Sequence, residues 1–199
     1  MTTSTPSSTA RAHGGPSAAS PSLESPSIKN TAINENPGVK LSPQQRVIVG
    51  SVLDLFEGNP TLRHLSLWSR NATFTDPLTI AQGYDRFAAQ WYGLPALFSP
   101  IQIQSHAVIS SGNPIELNLS NKYVVKAIGK EQIVDSVVRI HVGTDGKIDK
   151  VEDKWNGQLP EGSVSEAFRK LNAVTVPTIV KVPKDEEEDK KMKMERDRK

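Results

Sequence analysis

The chain has 199 residues, 36% of them apolar, no cysteine and a formal net charge of +2, which suits one ordinary domain with tails. Zero Cys excludes a disulfide scaffold, a thiol nucleophile and any Cys-ligated zinc or iron–sulfur centre, and no apolar run approaches the roughly 18 residues of a membrane span. Lys+Arg against Asp+Glu comes to 3 against 2 over 1–40, 11 against 11 over 41–160 and 10 against 9 over 161–199, so no segment carries the basic field of a nucleic-acid binder.

The N-terminus has no charged start followed by an apolar stretch, so no secretory signal is read and a cytoplasmic or nuclear protein is expected. Residues 1–40 hold Ser, Thr or Pro at 18 of 40 positions and no aromatic. Such a stretch buries too little to offset the entropy of ordering it, and a disordered tail is predicted. Ser42-Pro43-Gln44-Gln45 then marks a helix start with a capping box and Pro in the first turn. Ile48, Val52, Leu55 and Phe56 recur at helical spacing up to Gly58. A short helix after Asn59-Pro60 carries Leu62, Leu65 and Trp68, with His64 read as exposed. Ala72 to Thr75 reads as a short strand stopped by Asp76-Pro77, and a helix after Gly83 presents Tyr84, Phe87, Ala88 and Trp91. Pro95 and Pro100 bound a loop.

Beyond Pro100 the period changes to two. Ile101, Ile103, Ser105, Ala107 and Ile109 form one face of a first long strand, with His106 on the other. Runs 117–127, 132–142 and 148–155 continue the series, separated by turns at Ser111-Gly112-Asn113-Pro114, Ile128-Gly129-Lys130 and Gly143-Thr144-Asp145-Gly146. Helices gathered ahead of an antiparallel meander predict an α+β domain, with helices on one face of a bent sheet around a small concave chamber. The folded domain is placed at 41–160, a helix and extended segment at 161–182, and a charged disordered tail at 183–199. In 161–182, Val164, Ala167, Phe168 and Leu171 share a helical side, and Val174, Val176, Ile179 and Val182 suggest extended chain.

This element order resembles the nuclear transport factor 2-like superfamily, which includes SnoaL-like polyketide cyclases and ketosteroid isomerases. The likeness rests on Leu67-Trp68-Ser69-Arg70-Asn71-Ala72-Thr73-Phe74-Thr75-Asp76-Pro77, on Gly83-Tyr84-Asp85-Arg86-Phe87, and on Thr144-Asp145-Gly146-Lys147-Ile148 leading to Asp153-Lys154-Trp155. It covers about residues 44–157. It implies a cone-shaped barrel of curved antiparallel sheet packed against N-terminal helices, an apolar pocket, and a homodimer through the outer sheet face. Asp76 matches the proton-shuttling base of ketosteroid isomerases. A carboxylate at the rim of an apolar chamber would have its pKa raised by desolvation. The structural alternative is that Asp76 only closes its turn by bonding nearby amides.

The oxyanion machinery of those isomerases does not carry over: the first helix has Gly50-Ser51-Val52-Leu53 in place of its Tyr, and Val138 stands where its acid would be. Asp135 is on the opposite strand face. Trp91 and Trp155 match pocket-lining positions, with Phe87 and Tyr123 taken as further wall residues. Asp153 shares a face with Trp155 and Val151, and is read as facing either the chamber or a neighbouring Lys. A His106–Asp76 pair would suggest dehydratase chemistry, and His141 is read as a dimer contact. No His/Asp/Glu cluster has metal-ligand spacing, so neither a metal nor another cofactor is expected. The sequence thus predicts a pocket for a small apolar molecule, with cofactor-free isomerase, dehydratase or cyclase chemistry, or else a non-catalytic dimerisation or interaction module.

Overall fold

The computed structural model describes residues 1, 27–126, 128–157, 159, 162–174 and 180–198. In chain order these form α1 (Pro43–Phe56), α2 (Leu62–Leu65), β1 (Trp68–Asp76), β2 (Thr79–Gln82), α3 (Tyr84–Leu97), β3 (Phe98–Ser110), β4 (Ile115–Val125), β5 (Glu131–Val142), β6 (Ile148–Trp155), α4 (Gly162–Val174) and α5 (Glu186–Asp197). Among the described residues the strands make one sheet in the order β2-β1-β6-β5-β4-β3. Every neighbouring pair is antiparallel except β1 with β6. The fold is α+β: a curved, open sheet whose concave face is filled by α1, α3 and α4.

The local reasons are plain. Ser42 Oγ accepts from Gln45 N and the Gln45 side chain accepts from Ser42 N, closing the capping box at the start of α1. Along β4 the inward positions Ile115, Leu117, Leu119, Asn121, Tyr123 and Val125 are all buried, while the alternate positions are not. Their core partners include Trp68 stacked on Phe87 at 5.0 Å, and Trp91 edge-on to Phe56 at 5.3 Å and tilted against Phe74 at 4.7 Å.

Four expectations are corrected. β1 is nine residues long and turns at Pro77-Leu78 into β2, a hairpin the sequence reading left out. α3 runs through Pro95, where the reading expected a loop. Proline in a last turn forfeits one amide bond, and the Phe98 N–H still closes the helix on Leu94 O. In β3 the pairing slips between Ile103 and Ser105, leaving Gln104 as an extra residue. That bulge exchanges the faces beyond it, so His106 and Val108, opposite Leu119 and Leu117, point inward in place of Ser105 and Ala107. The last correction concerns His64, which is only 2% exposed. Its Nδ1 lies 3.1 Å from Asn59 O and its Nε2 3.3 Å from Asp54 Oδ2.

The tail boundaries also differ from the reading. Residues 2–26 lie outside the described residues, but 27–40 pack on the domain. Asp54 accepts from the amides of Lys29 and Asn30 and from Asn30 Nδ2. Asn34 and Asn36 bond Val108 along the free edge of β3, where unpaired backbone groups are available. Burial pushes the Asp54 carboxyl up, but His64 and these donors outweigh it and hold it below the usual carboxylate range. The charged stretch 183–199, expected as a disordered tail, instead carries α5. Asp189 is buried and accepts from Leu62 N at 2.8 Å and from the Tyr92 hydroxyl at 2.7 Å. Val174 ends α4 rather than starting an extended run, and residues 175–179, with Val176 and Ile179, lie outside the described residues.

Candidate active site

The parallel pairing of β1 with β6, with Phe74 opposite Val151 and Thr75 opposite Glu152, brings the ends of the two strands side by side. Asp76 and Asp153 therefore reach one chamber between sheet and helices. Phe56, Phe74, Trp91, Leu94 and Tyr123 line it, with Gln90, Trp155 and Phe168 completing the wall. Its free volume is about 20 Å³, room for about one water.

Asp76 ends β1 opposite Thr79 in the hairpin. Its Oδ1 accepts from Leu78 N at 2.8 Å, and Thr79 also bonds the carboxyl. The residue is half-buried, but its carboxyl is enclosed deeply enough for burial to outweigh those hydrogen bonds and raise its pKa to about 6. Both readings of Asp76 thus hold in geometry: it closes its turn and it lines the chamber.

Asp153 lies on the inner face of β6. Its Oδ2 accepts from Trp155 Nε1 at 2.7 Å, and Ser136 adds a second bond. Burial, with a smaller contribution from the charge of Asp76, raises it to about 7. Burial likewise pushes the Tyr123 phenol far above its ordinary value, and the neighbouring Asp153 adds to that. Three buried polar atoms on the wall have no hydrogen-bond partner among the described residues: Asp153 Oδ1, Gln90 Oε1 and Trp91 Nε1. Leaving such atoms unpaired is costly, and an all-apolar core would avoid it.

The other sequence candidates lie elsewhere. Phe87 is fully buried behind Trp68 and does not reach the chamber. His106 accepts from Asn34 N at 3.2 Å under the N-terminal arm and is not on the chamber wall, so no His106–Asp76 pair forms. Burial lowers its pKa, which favours the neutral ring. His141 sits on the outer sheet face with Nε2 at 2.8 Å from Glu152 Oε2. Lys150 and His141 together hold the Glu152 carboxyl down at about 2. The sequence reading missed Gln90 and the role of Phe168. Gln90 stands three residues after Phe87 and four before Leu94, so an amide on the apolar side of α3 was the available signal.

A larger groove of about 320 Å³ runs between the end of α1, the last turns of α3 and α5. Its cations are already engaged, Arg196 with Pro60 O and Lys126 with Pro95 O, and it holds none of the unpartnered buried polar atoms. The small chamber is therefore the better candidate. Among the described residues no group of three His, Asp or Glu is arranged to hold a metal ion. No described helix is long and apolar enough to cross a membrane.

No family model matches the sequence, and no curated protein matches it significantly. Among solved structures the chain is similar to a nuclear transport factor 2-like protein of unknown function from Exiguobacterium sp. 255-15. That pair shares 16% identity over 56% of this chain and 99% of the other, with a TM-score of 0.46. A SnoaL-like family protein from Agrobacterium tumefaciens str. C58 shares 19% identity over 58% of this chain and 100% of its own, with a TM-score of 0.44. A protein with a ketosteroid isomerase-like fold from Catenulispora acidiphila DSM 44928, solved with trimethylamine, shares 13% identity over 53% and 82%, with a TM-score of 0.45. Sequence identity and superposition are both low, so the site stands on this chain's own side chains.

Proposed function

We propose that the chamber binds a small apolar molecule and moves a proton on it without a cofactor, as an isomerase, dehydratase or cyclase does. The observation that carries this reading is the pair of carboxyls in one aromatic enclosure, raised to about 6 and about 7. Groups tuned to opposite protonation states near neutral pH are what acid–base catalysis requires. In the isomerase case, ionised Asp76 takes a proton from the carbon next to a carbonyl. Neutral Asp153, with the Trp91 N–H, donates hydrogen bonds to the oxygen as it gains charge. Asp76 then returns the proton to a different carbon, so no atom is gained or lost.

The test is conversion of 3-cyclohexen-1-one to its conjugated isomer, followed by ultraviolet absorbance. Turnover should peak between about pH 6 and 7, because Asp76 must be ionised and Asp153 neutral. Asp76→Asn should abolish it without loss of stability, since an amide oxygen still accepts from Leu78 N and the variant no longer has to ionise a buried carboxyl. Unchanged turnover in Asp76→Asn refutes the assignment. A large loss of stability would instead mark Asp76 as a turn residue.

One observation favours a second reading, a non-catalytic module: Asp76 is bonded into its own turn. In that case the chain would act through a homodimer on the outer sheet face, where Val137 lies half-buried two residues before Arg139, on the face that carries the Arg139–Glu116 and His141–Glu152 pairs. Val137→Glu should then convert a dimer to a monomer in analytical ultracentrifugation.

A further inference from the structure

We propose that the Phe168 ring sits in the ligand's own seat, and that a ligand one ring wide with an oxygen at its edge displaces it. This rests on the chamber being the site proposed above, and it adds the class of ligand and the way in. α4 lies beyond the segment that resembles the cone-shaped families; it packs on α3, and Val164, Ala167 and Phe168 form its buried side. The Phe168 ring is caged by three others: Phe98 at 4.7 Å, Trp155 at 5.2 Å and Tyr123 at 5.3 Å. Tyr123 and Trp155 belong to the chamber wall, so the ring fills what would otherwise be the mouth.

The fill satisfies shape but not polarity. Asp153 Oδ1, Gln90 Oε1 and Trp91 Nε1 are unpartnered on the same wall, each on a residue no more than 6% exposed. A phenylalanine ring has nothing to offer them. A phenol- or enone-sized ring keeps the three aromatic contacts and adds an oxygen that accepts from the Trp91 N–H; a hydroxyl also donates to Gln90 Oε1. The ligand regains what the displaced ring gives up and adds bonds the ring cannot make, which is the differential affinity a displacement requires. The size limit is that of the ring itself, since a cavity of about 150 Å³ accommodates benzene. The chain leaves β6 at Gly157, whose φ of +101° lies in open space with no atom near a would-be Cβ. Such a joint can turn without side-chain strain.

The probes are phenol and toluene, alike in shape but differing in the oxygen, used on the full chain. In the wild-type protein, phenol should raise hydrogen exchange of the α4 amides while leaving β4 protected. Phe168→Ala, which has no plug to displace, should bind phenol at least about tenfold more tightly than wild type and should prefer phenol to toluene. Phe87→Ala is the control for loosening of the core: it keeps the plug, so its α4 response to phenol should match that of wild type. Exchange of α4 unmoved by saturating phenol overturns the proposal, as does Phe168→Ala preferring toluene. If Phe168→Ala does not fold, Phe168→Leu and the wild-type exchange measurement decide the same question. Turnover is read separately. Absent 3-cyclohexen-1-one isomerisation with intact phenol displacement refutes the proton-transfer reading alone, and an unmoved α4 refutes this one whatever the turnover.

Discussion

Replacing Asp153 with Asn should make the protein more stable, and only above acidic pH. Asp153 carries a pKa of about 7 in place of the ordinary 3.8, chiefly through burial. Below about pH 4 the carboxyl is protonated in both folded and unfolded chains and contributes no difference. Between about pH 4 and pH 7 the unfolded chain ionises this group freely while the buried carboxyl keeps its proton, so stability falls across that window and levels off once the native group also ionises. At 1.36 kcal/mol per pKa unit the full cost is about 4 kcal/mol, reached above about pH 7. Asn keeps an oxygen for the Trp155 and Ser136 donors and carries no charge. For a chain of this length that difference corresponds to a melting shift of about 10 °C. Urea or thermal unfolding of wild type and Asp153→Asn at pH 4 and pH 8 measures it. The two should nearly coincide at pH 4 and separate at pH 8, with the variant the more stable. A gap independent of pH, or a wild type that gains on the variant as pH rises, refutes the argument that Asp153 is desolvated.

Three further predictions concern the surrounding frame. A Cβ on Gly50 would meet Asn30 O and Ile28 Cγ2, both at 2.7 Å, so Gly50→Ala should lower stability by about 1–3 kcal/mol. Helix propensity alone predicts a gain of about 1 kcal/mol, so the sign of the measured change tells whether the N-terminal arm is held against α1. Asp189→Ala removes the acceptor for both Leu62 N and the Tyr92 hydroxyl, and should cost about 2–3 kcal/mol. Its specific mark is faster hydrogen exchange in α5 with the Trp155 environment unchanged; slow exchange in α5 would show that the helix is held by other contacts. For His64→Ala, loss of a buried ring between Asp54 and Asn59 should cost at least about 2 kcal/mol at pH 8. A change within 0.5 kcal/mol would mean the ring is as exposed as its helix pattern suggested.

The one-dimensional signals determined the α+β order: the capping box at Ser42, the helical stripe of α3 and the strict alternation along β4 each depend on neighbours within a few residues. The resemblance to the cone-shaped families named Asp76, Trp91 and Trp155, with Tyr123 as a further wall residue, and strand alternation added Asp153 on the face of Trp155. Only the tertiary structure decided which of them meet. Asp76 and Asp153 share a chamber because β1 pairs parallel with β6, a long-range choice that no local period encodes. His106 lies inward because one extra residue, Gln104, shifts the register of β3, and a single-residue slip in a period of two exchanges the faces. The charge run 184–199 read as solvated because most of its side chains are. Those that dock it, Asp189, Met192 and Arg196 among them, acquire their meaning from Leu62, Tyr92, Pro60 and the core far away in sequence. A buried polar group is stable only where a distant segment supplies its partner, and that matching is settled when the chain folds.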